Sequence, residues 1–196
     1  MSQKIRILGI NGSPRKFGGT VKMLKEVLQA AQKNGATTKL IHLLDYKMKP
    51  YHGNYYKKPD REVLRLLDEM EKFDGYVFAT PTHWMGPSSL MKILIDNLTY
   101  WEMLKNFKLE GKVVGVVTHS ELDGGFTVAQ NLLGILNTMG AIGPPYAVNT
   151  RNKNIKKTKE TEWMWTDTKL LGKNIVLLSE MVRKLKPNWD YEKNGR

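Results

Sequence analysis

Residues 4–20 read KIRILGINGSPRKFGGT, and this stretch decides the fold. The apolar run at 4–10 is rich in β-branched residues and predicts a buried strand. The next ten residues hold three glycines, a proline and hydroxyl side chains, and helical spacing begins at Val21. A buried strand that turns directly into a helix is typical of the first unit of a parallel α/β fold.

The same alternation continues along the chain. Apolar runs at 38–44, 75–81 and 112–119 predict three more strands, and helical spacing falls at 21–31, 63–70 and 90–104. A fifth strand is predicted at 141–149, where Pro144 and Pro145 restrict it to an edge of the sheet. Strands that are apolar nearly throughout indicate a parallel sheet covered by helices on both faces. We therefore predict a flavodoxin-like, doubly wound α/β fold with five parallel strands in the order 2-1-3-4-5.

Length and composition narrow the class of protein. The 196 residues predict a single domain at 1–186, whose final helix at 168–185 ends before Pro187, and a tail at 187–196. The formal charge of +12 favours anionic partners such as phosphorylated cofactors, nucleic acid or a membrane surface. The absence of cysteine excludes disulfides, thiolate metal sites and thiol nucleophiles within this chain. Since no segment has about 18 consecutive apolar residues, we expect a cytoplasmic protein without membrane contact.

The loop after the first strand is the first part of the candidate site, because ligands of doubly wound sheets bind beyond the carboxyl ends of the strands. Residues 11–20 open a helix, whose free backbone N–H groups attract phosphate. The spacing matches neither a Walker A loop nor the Gly-x-Gly-x-x-Gly motif. A glycine-rich turn without a ligand is the alternative interpretation. The residues predicted to bind phosphate are Ser13, Arg15, Lys16, Gly18, Gly19 and Thr20.

The loop after the third strand, TPTHWMGPSS at 80–89, lies on the opposite side of the predicted crevice. Its stiff turn displays backbone N–H groups and large side chains suited to a flat aromatic ring such as a flavin. His83 and Trp84 are the candidates for bordering the reactive part of that ring. The alternative is that Trp84 and Met85 belong to the core and His83 satisfies a carbonyl. The residues predicted to contact the ring are Pro81, Thr82, His83, Trp84, Met85 and Gly86.

The loop after the fourth strand, THSELDGG at 118–125, reaches the same edge and is predicted to close over the ring. A metal held by His83 and His119 is the less favoured interpretation, because no carboxylate has metal-ligand spacing with them. We predict no metal site. The residues predicted to contribute from this loop are His119, Ser120, Gly124 and Gly125.

These three loops resemble the NADPH-dependent FMN reductase superfamily, particularly its iron-sulfur flavoprotein and multimeric flavodoxin branches. The resemblance extends over about residues 5–145. It implies that residues 81–96 hold the isoalloxazine of FMN. It also implies a homodimer or homotetramer with the flavin near the interface, to which Trp101, Trp163 and Trp165 are candidate contributors. The residues that would hold the FMN phosphate are Gly12, Ser13, Pro14, Arg15, Gly19 and Thr20.

The segment after the second strand departs from the iron-sulfur relatives. Those proteins carry a compact cysteine cluster there, whereas residues 46–59 read YKMKPYHGNYYKKP. No cysteine-ligated cluster can therefore form within this chain. Tyr51, Tyr55 and Tyr56 either belong to a subunit or substrate surface or are solvated loop residues.

The favoured function is an FMN-dependent oxidoreductase. It would pass hydride from NADPH or NADH through the flavin to a quinone, free flavin or other small acceptor. An electron-transfer flavoprotein with a protein partner is the alternative, although flavodoxins of that kind are acidic and this chain is basic. A nucleic-acid-binding module is the third hypothesis, because residues 151–159 read RNKNIKKTK. For that segment a solvated basic loop is the favoured interpretation.

Overall fold

A mostly parallel sheet forms the centre of the computed structural model, which describes residues 3–103, 107–187 and 189. Its order is β2-β1-β3-β5-β6, with all four neighbouring pairs parallel, and β4 pairs antiparallel with β3. The predicted order of five parallel strands is confirmed, and the two-residue strand β4 adds a sixth that was not predicted. The strands are β1 Arg6–Asn11, β2 Thr37–His42, β3 Gly75–His83, β4 Gly86–Pro87, β5 Val113–Ser120 and β6 Val148–Asn152.

Helices cover both faces of the sheet, as predicted. The helices are α1 Gly19–Lys33, α2 Arg61–Met70, α3 Ser89–Asn97, α4 Thr99–Glu102, α5 Gly125–Thr138 and α6 Trp163–Leu185. Successive strand residues point to opposite faces, so Ile7 and Val77 pack with α1 and α6, whereas Leu8 and Phe78 pack with α2, α3 and α5. Each face therefore has its own hydrophobic core.

Two helices near the candidate site begin at side-chain caps. The Asp60 carboxylate accepts hydrogen bonds from Glu62 N at 2.8 Å and Val63 N at 3.2 Å at the start of α2. Ser88 Oγ accepts from Met91 N at 3.1 Å at the start of α3. Such caps satisfy N–H groups that the first helical turn leaves free. By contrast, α1 begins after Gly18 without a side-chain cap.

The fifth parallel strand lies later in the chain than predicted. The expected range was 141–149, but β6 is Val148–Asn152 and only Ile142 forms an isolated bridge, with Val113. Pro144 and Pro145 have no N–H groups to donate, and Ala147 N closes a turn on Pro144 O at 3.0 Å. The strand can therefore begin only after the prolines. Its predicted place at an edge of the sheet is confirmed.

Two helix boundaries also differ from the prediction. The helix expected at 90–104 is divided into α3 and α4, and Leu104 lies outside the described residues. The final helix begins at Trp163, before the predicted start at 168, and Lys186 ends it in a left-handed conformation with φ 45°. Of the predicted tail at 187–196, only Pro187 and Trp189 are described. None of the described helices is long and apolar enough to cross a membrane.

Candidate functional site

Two neighbouring cavities open at the carboxyl ends of β1, β3 and β5. The first has a volume of about 450 Å³ and the second of about 730 Å³, and they share Thr82, His83 and Glu121. The three loops singled out from the sequence therefore meet at one place. The first cavity is lined by Ser13, Pro14, Arg15, Gly18, Gly19, Thr20, Pro81, Thr82, His83, His119, Glu121 and Lys153. The second is lined by Thr82, His83, Trp84, Met85, Glu121, Leu122 and Asp123.

The first loop is held by Asn11, a fully buried side chain at the end of β1. Asn11 Oδ1 accepts a hydrogen bond from Ser13 N at 3.1 Å, and Asn11 Nδ2 lies 2.8 Å from Nδ1 of His42 on β2. On the other side, Gly12 N donates to Ala79 O of β3 at 2.8 Å. The loop is thus tied to both neighbouring strands. The sequence analysis missed Asn11, although an asparagine between an apolar strand and Gly-Ser-Pro is typical of a side chain that holds a turn.

The residues around the start of α1 form a cradle suited to phosphate. Ser13 and Thr20 are buried in the lining, and the first turn of α1 has neither an acidic residue nor a side-chain cap. The N–H groups at this helix end can therefore donate to an anion, whose charge the helix end also favours. Arg15 adds a positive charge to the same lining.

Lys16 does not belong to this cradle, although it was predicted to bind phosphate. Its Nζ lies 2.5 Å from Oδ1 of Asp45, which follows β2. This hydrogen bond, more than any other contact, lowers the pKa of the Asp45 carboxyl. The charge of Lys16 is therefore matched by a carboxylate outside the cavity.

The second loop is a hairpin with a strained turn. His83 pairs with Gly86 across β3 and β4, so Trp84 and Met85 are the two central residues, with φ of 47° and 60°. Hairpin turns with positive φ at both central residues favour asparagine and glycine. Other residues cost about 1–2 kcal/mol each in this conformation. The side chain of Trp84 is fully exposed and that of Met85 is largely exposed, so the alternative that both belong to the core is wrong.

A buried threonine hydroxyl connects the two cavities. Thr82 Oγ1 is buried and has no hydrogen-bond partner among the described residues, and Thr82 lines both cavities. An unpaired buried hydroxyl costs about 1–3 kcal/mol, and because this oxygen has almost no accessible surface, a ligand atom pairs with it and recovers that free energy only when the side chain rotates toward a cavity. Together with the cradle, this hydroxyl fits a ligand that has a phosphate at one end and polar ring atoms at the other.

The hairpin is also bound to the first loop. Ser88 Oγ donates to Gly12 O at 2.5 Å, and Thr80 Oγ1 accepts from Ser88 N at 3.0 Å. These two hydroxyl groups fix the distance between the phosphate cradle and the second cavity. Neither residue was predicted, and the contact of Ser88 with Gly12 joins residues 76 positions apart in sequence.

The third loop contributes His119 to the first cavity. A methyl group on Gly19 would lie only 2.3 Å from His119 Nε2, so the imidazole packs against the start of α1. It therefore lies beside the cradle and lines the first cavity, not the second. Burial above all, and then the charges of Arg151 and Lys153, lower the pKa of His119.

The other residues predicted from the last two loops support the site without lining it. Ser120 Oγ donates to Leu122 O at 3.4 Å within the third loop. Gly124 has φ 80° and lies against Met85, where a side chain would collide with the sulfur atom. Gly125 begins α5, and Gly86 pairs in the hairpin. These residues fix the approach of the third loop to the hairpin.

The basic segment at 151–159 is part of the site's surroundings. Arg151 is 7% exposed, and its guanidinium forms two hydrogen bonds with the Glu26 carboxylate, at 3.1 and 2.5 Å. The guanidinium also lies 4.5 Å from the centre of the Trp165 ring. Lys153 lines the first cavity and pairs with Glu121 at 2.6 Å. The interpretation of this segment as a solvated loop is therefore wrong for Arg151. The role of Lys153 in the cavity lining was not predicted, because β6 lies later in the chain than expected.

The remaining predicted features lie elsewhere. Tyr51 stacks on His52 and meets Tyr100 edge to face, and Tyr56 is exposed. Trp101 is buried in the core, whereas Trp163 is exposed. Within the part of the chain that the structure describes, no three His, Asp or Glu residues are grouped to hold a metal ion.

The sheet order and the cradle beyond its carboxyl edge define a flavodoxin-like protein with a site for a phosphorylated ring. Residues 5–154 match the NADPH-dependent FMN reductase family, and the chain therefore belongs to this family of flavin-dependent oxidoreductases. The resemblance drawn from the three loops is confirmed.

Several relatives support this assignment. An iron-sulfur flavoprotein from Methanocaldococcus jannaschii is 31% identical over 119 residues, which are 58% of this chain and 61% of that protein, less than two thirds of its length. An iron-sulfur flavoprotein from Archaeoglobus fulgidus is 26% identical over 203 residues, covering 93% of this chain and 99% of that protein. The structure of RosB with bound 8-demethyl-8-formylriboflavin-5'-phosphate superposes with a TM-score of 0.82 at 20% identity, covering 97% of this chain and 84% of RosB. At that identity the likeness shows the fold alone.

Proposed function

We propose that this chain binds FMN and passes hydride from NADPH or NADH through the flavin to a small acceptor such as a quinone or free flavin. Family membership supports a flavin oxidoreductase. The observation that carries the cofactor assignment is the unpaired, buried Thr82 hydroxyl between the phosphate cradle and the second cavity. FMN, when bound, supplies the redox chemistry by accepting and releasing hydride or electrons.

The chain's own residues bind and orient the cofactor. Ser13, Thr20 and the free N–H groups of α1 would hold the phosphate, with Arg15 as a positive partner. Thr82 would pair with a polar atom of the ring. This arrangement needs no side-chain nucleophile, because the protein's contribution is to orient the reactants.

His83 and Trp84 are the residues we propose to border the ring. Both line the second cavity, and the strained turn holds Trp84 outside the core. A side chain held at the cavity mouth can exclude water on one side and leave the other open to nicotinamide. His83→Ala should therefore slow hydride transfer more than it weakens FMN binding. His52→Ala, in the segment 46–59 outside both cavities, is the matched control.

Two measurements test this function. Calorimetry should give clearly tighter binding of FMN than of riboflavin, which lacks the phosphate, and equal affinities or no FMN binding would refute the cofactor assignment. Anaerobic addition of NADPH or NADH should then bleach the flavin absorbance, and a quinone should restore it. A flavin that neither nicotinamide bleaches would refute the reductase assignment.

Electron exchange with a protein partner is the second candidate, favoured by exposed apolar side chains around the second cavity. We call this set the apolar rim: Trp84, Met85 and Leu122, which are all exposed and all line the second cavity. Large exposed apolar surface is typical of interaction sites. If a one-electron reductant reduces the bound flavin and neither nicotinamide does, this candidate replaces the reductase.

We also propose that a second copy of the chain covers the apolar rim, giving a homodimer or a homotetramer. Aromatic side chains and methionine are enriched at interfaces, and Trp84 presents its whole side chain to solvent. Light scattering of the FMN-loaded protein at micromolar concentration should give at least twice the chain mass of 22.5 kDa. A monomer would refute this assembly.

A further inference from the structure

The phosphate cradle has few positive charges of its own. Lys16 is paired with Asp45 outside the cavity, and Lys153 is paired with Glu121 at its rim. Arg15 and His119 both line the cavity, and His119 lies near the end of β5. A phosphate dianion therefore faces one permanent charge from Arg15 and one imidazole whose charge depends on its protonation.

The imidazole of His119 is directed at the phosphate end of the site. Nε2 is the ring atom nearest to the space above Gly19, with Cδ2 and Cε1 slightly farther away. Gly19 is the first residue of α1, and Thr20 follows it in the same lining. The absence of a side chain at residue 19 is what allows the ring to come this close to the helix end.

Burial and neighbouring positive charges lower the pKa of His119 and so disfavour its charged form. Arg151 lies opposite it in the β5–β6 register, and Lys153 follows β6. Glu26 on α1 partly balances Arg151, and Glu121 partly balances Lys153. The two nearest charges are thus positive, which together with burial disfavours the imidazolium. A phosphate anion in the cradle adds negative charge beside the imidazole, and this favours the imidazolium. The charged or titratable groups around the ring are Arg15, Glu26, His83, Glu121, Arg151 and Lys153.

We propose that His119 is a proton-accepting phosphate ligand, neutral in the free protein and charged when FMN is bound. This inference rests on the proposed function, because it needs FMN in the cradle. The change is one proton taken from solvent onto the imidazole, with no bond formed to the phosphate. FMN binding is then coupled to proton uptake.

Calorimetry in two buffers of different ionisation enthalpy measures this uptake. At pH 7.5 the FMN phosphate, whose second pKa is about 6, is already a dianion and takes up almost no proton itself. We expect about one half to one proton taken up per FMN bound, with an FMN affinity that falls by about three- to tenfold per pH unit around pH 7.5 and levels off once the pH exceeds the pKa of His119 in the complex. Absence of uptake while FMN binds would overturn the inference and leave the proposed function intact.

Two glutamine variants identify the group responsible. His119→Gln keeps an N–H donor but cannot be protonated, so it should bind FMN without proton uptake and with an affinity that is flat around pH 7.5. His52→Gln is the matched control, because His52 lies in the segment 46–59 and outside both cavities, and its uptake should equal that of the unaltered protein. Uptake that persists in His119→Gln would overturn the inference.

NMR of the unaltered protein provides a measurement that does not depend on any variant folding. Among the four histidines, one ring C–H signal should move to its charged position when FMN is added at pH 7.5. If none moves although FMN binds, the inference is wrong. If FMN does not bind at all, the proposed function is refuted and this inference with it.

Discussion

Replacing Trp84 by asparagine should stabilise the protein in the absence of ligand, although Trp84 lies in the candidate site. Trp84 has φ 47°, and its side chain is fully exposed on the single chain, so in the monomer the substitution removes strain without loss of packing. The measurement is therefore made at a protein concentration low enough for the chain to be monomeric. A non-glycine residue costs about 1–2 kcal/mol in this conformation, and asparagine is one of the residues that tolerate it best. We expect a gain of about 1 kcal/mol in the free energy of unfolding.

Urea denaturation followed by circular dichroism measures this gain. With an m value of about 2.5 kcal/mol/M, the midpoint should rise by about 0.4 M at unchanged m. Phe17→Asn is the matched control, because Phe17 is 88% exposed but has no positive φ, and its effect should stay within about 0.5 kcal/mol. The same Trp84 variant should bind FMN more weakly, since the ring loses one bordering side chain. A lower midpoint for Trp84→Asn, or an equal rise for Phe17→Asn, would refute the strain argument.

Three further changes have defined outcomes. Glu26→Gln should lower the free energy of unfolding by about 3 kcal/mol in urea denaturation, because it leaves the buried Arg151 guanidinium without its carboxylate. Thr20→Val should weaken FMN binding by about 1.5–3 kcal/mol in calorimetry, the cost of one hydrogen bond to a charged group. The ligand-free protein should lose stability as pH falls from 7.5 to 5.5, because burial above all lowers the pKa values of His42 and His119. A histidine whose pKa is lowered by folding contributes to the free energy of unfolding at a pH above its pKa in the unfolded chain, about 6.5. This contribution is lost as the pH falls below that value. His42→Gln should flatten this dependence.

Features set by neighbouring residues could be predicted from the sequence. The members of the cradle could be predicted because Ser13, Gly19 and Thr20 lie close together in sequence, within one strand-to-helix turn. The edge position of the last parallel strand was also predicted, but from Pro144 and Pro145, which lie in the turn before β6 and are not part of its ladder.

Features set by partners distant in sequence could not be predicted. The charge of Lys16 is directed away from the cradle by Asp45, which is 29 residues farther along the chain. Local sequence is equally compatible with Trp84 in a core and Trp84 in a turn, and only the pairing of His83 with Gly86 decides between them. Lys153 reaches the cavity because β6 begins only after the prolines. The resulting register of β6 against β5 cannot be read from the hydrophobic periodicity alone.

The hydrogen bonds that tie the first loop to β2 and β3 have a consequence for how cofactor content is controlled. Asn11, Gly12 and Ser88 hold the loop through contacts within the protein, so its form does not depend on an arriving ligand. Binding then requires no coupled folding, and FMN stabilises the protein by mass action, by about 2.7 kcal/mol at a free concentration one hundred times Kd. The fraction of the protein that carries flavin should then follow the free FMN concentration around it.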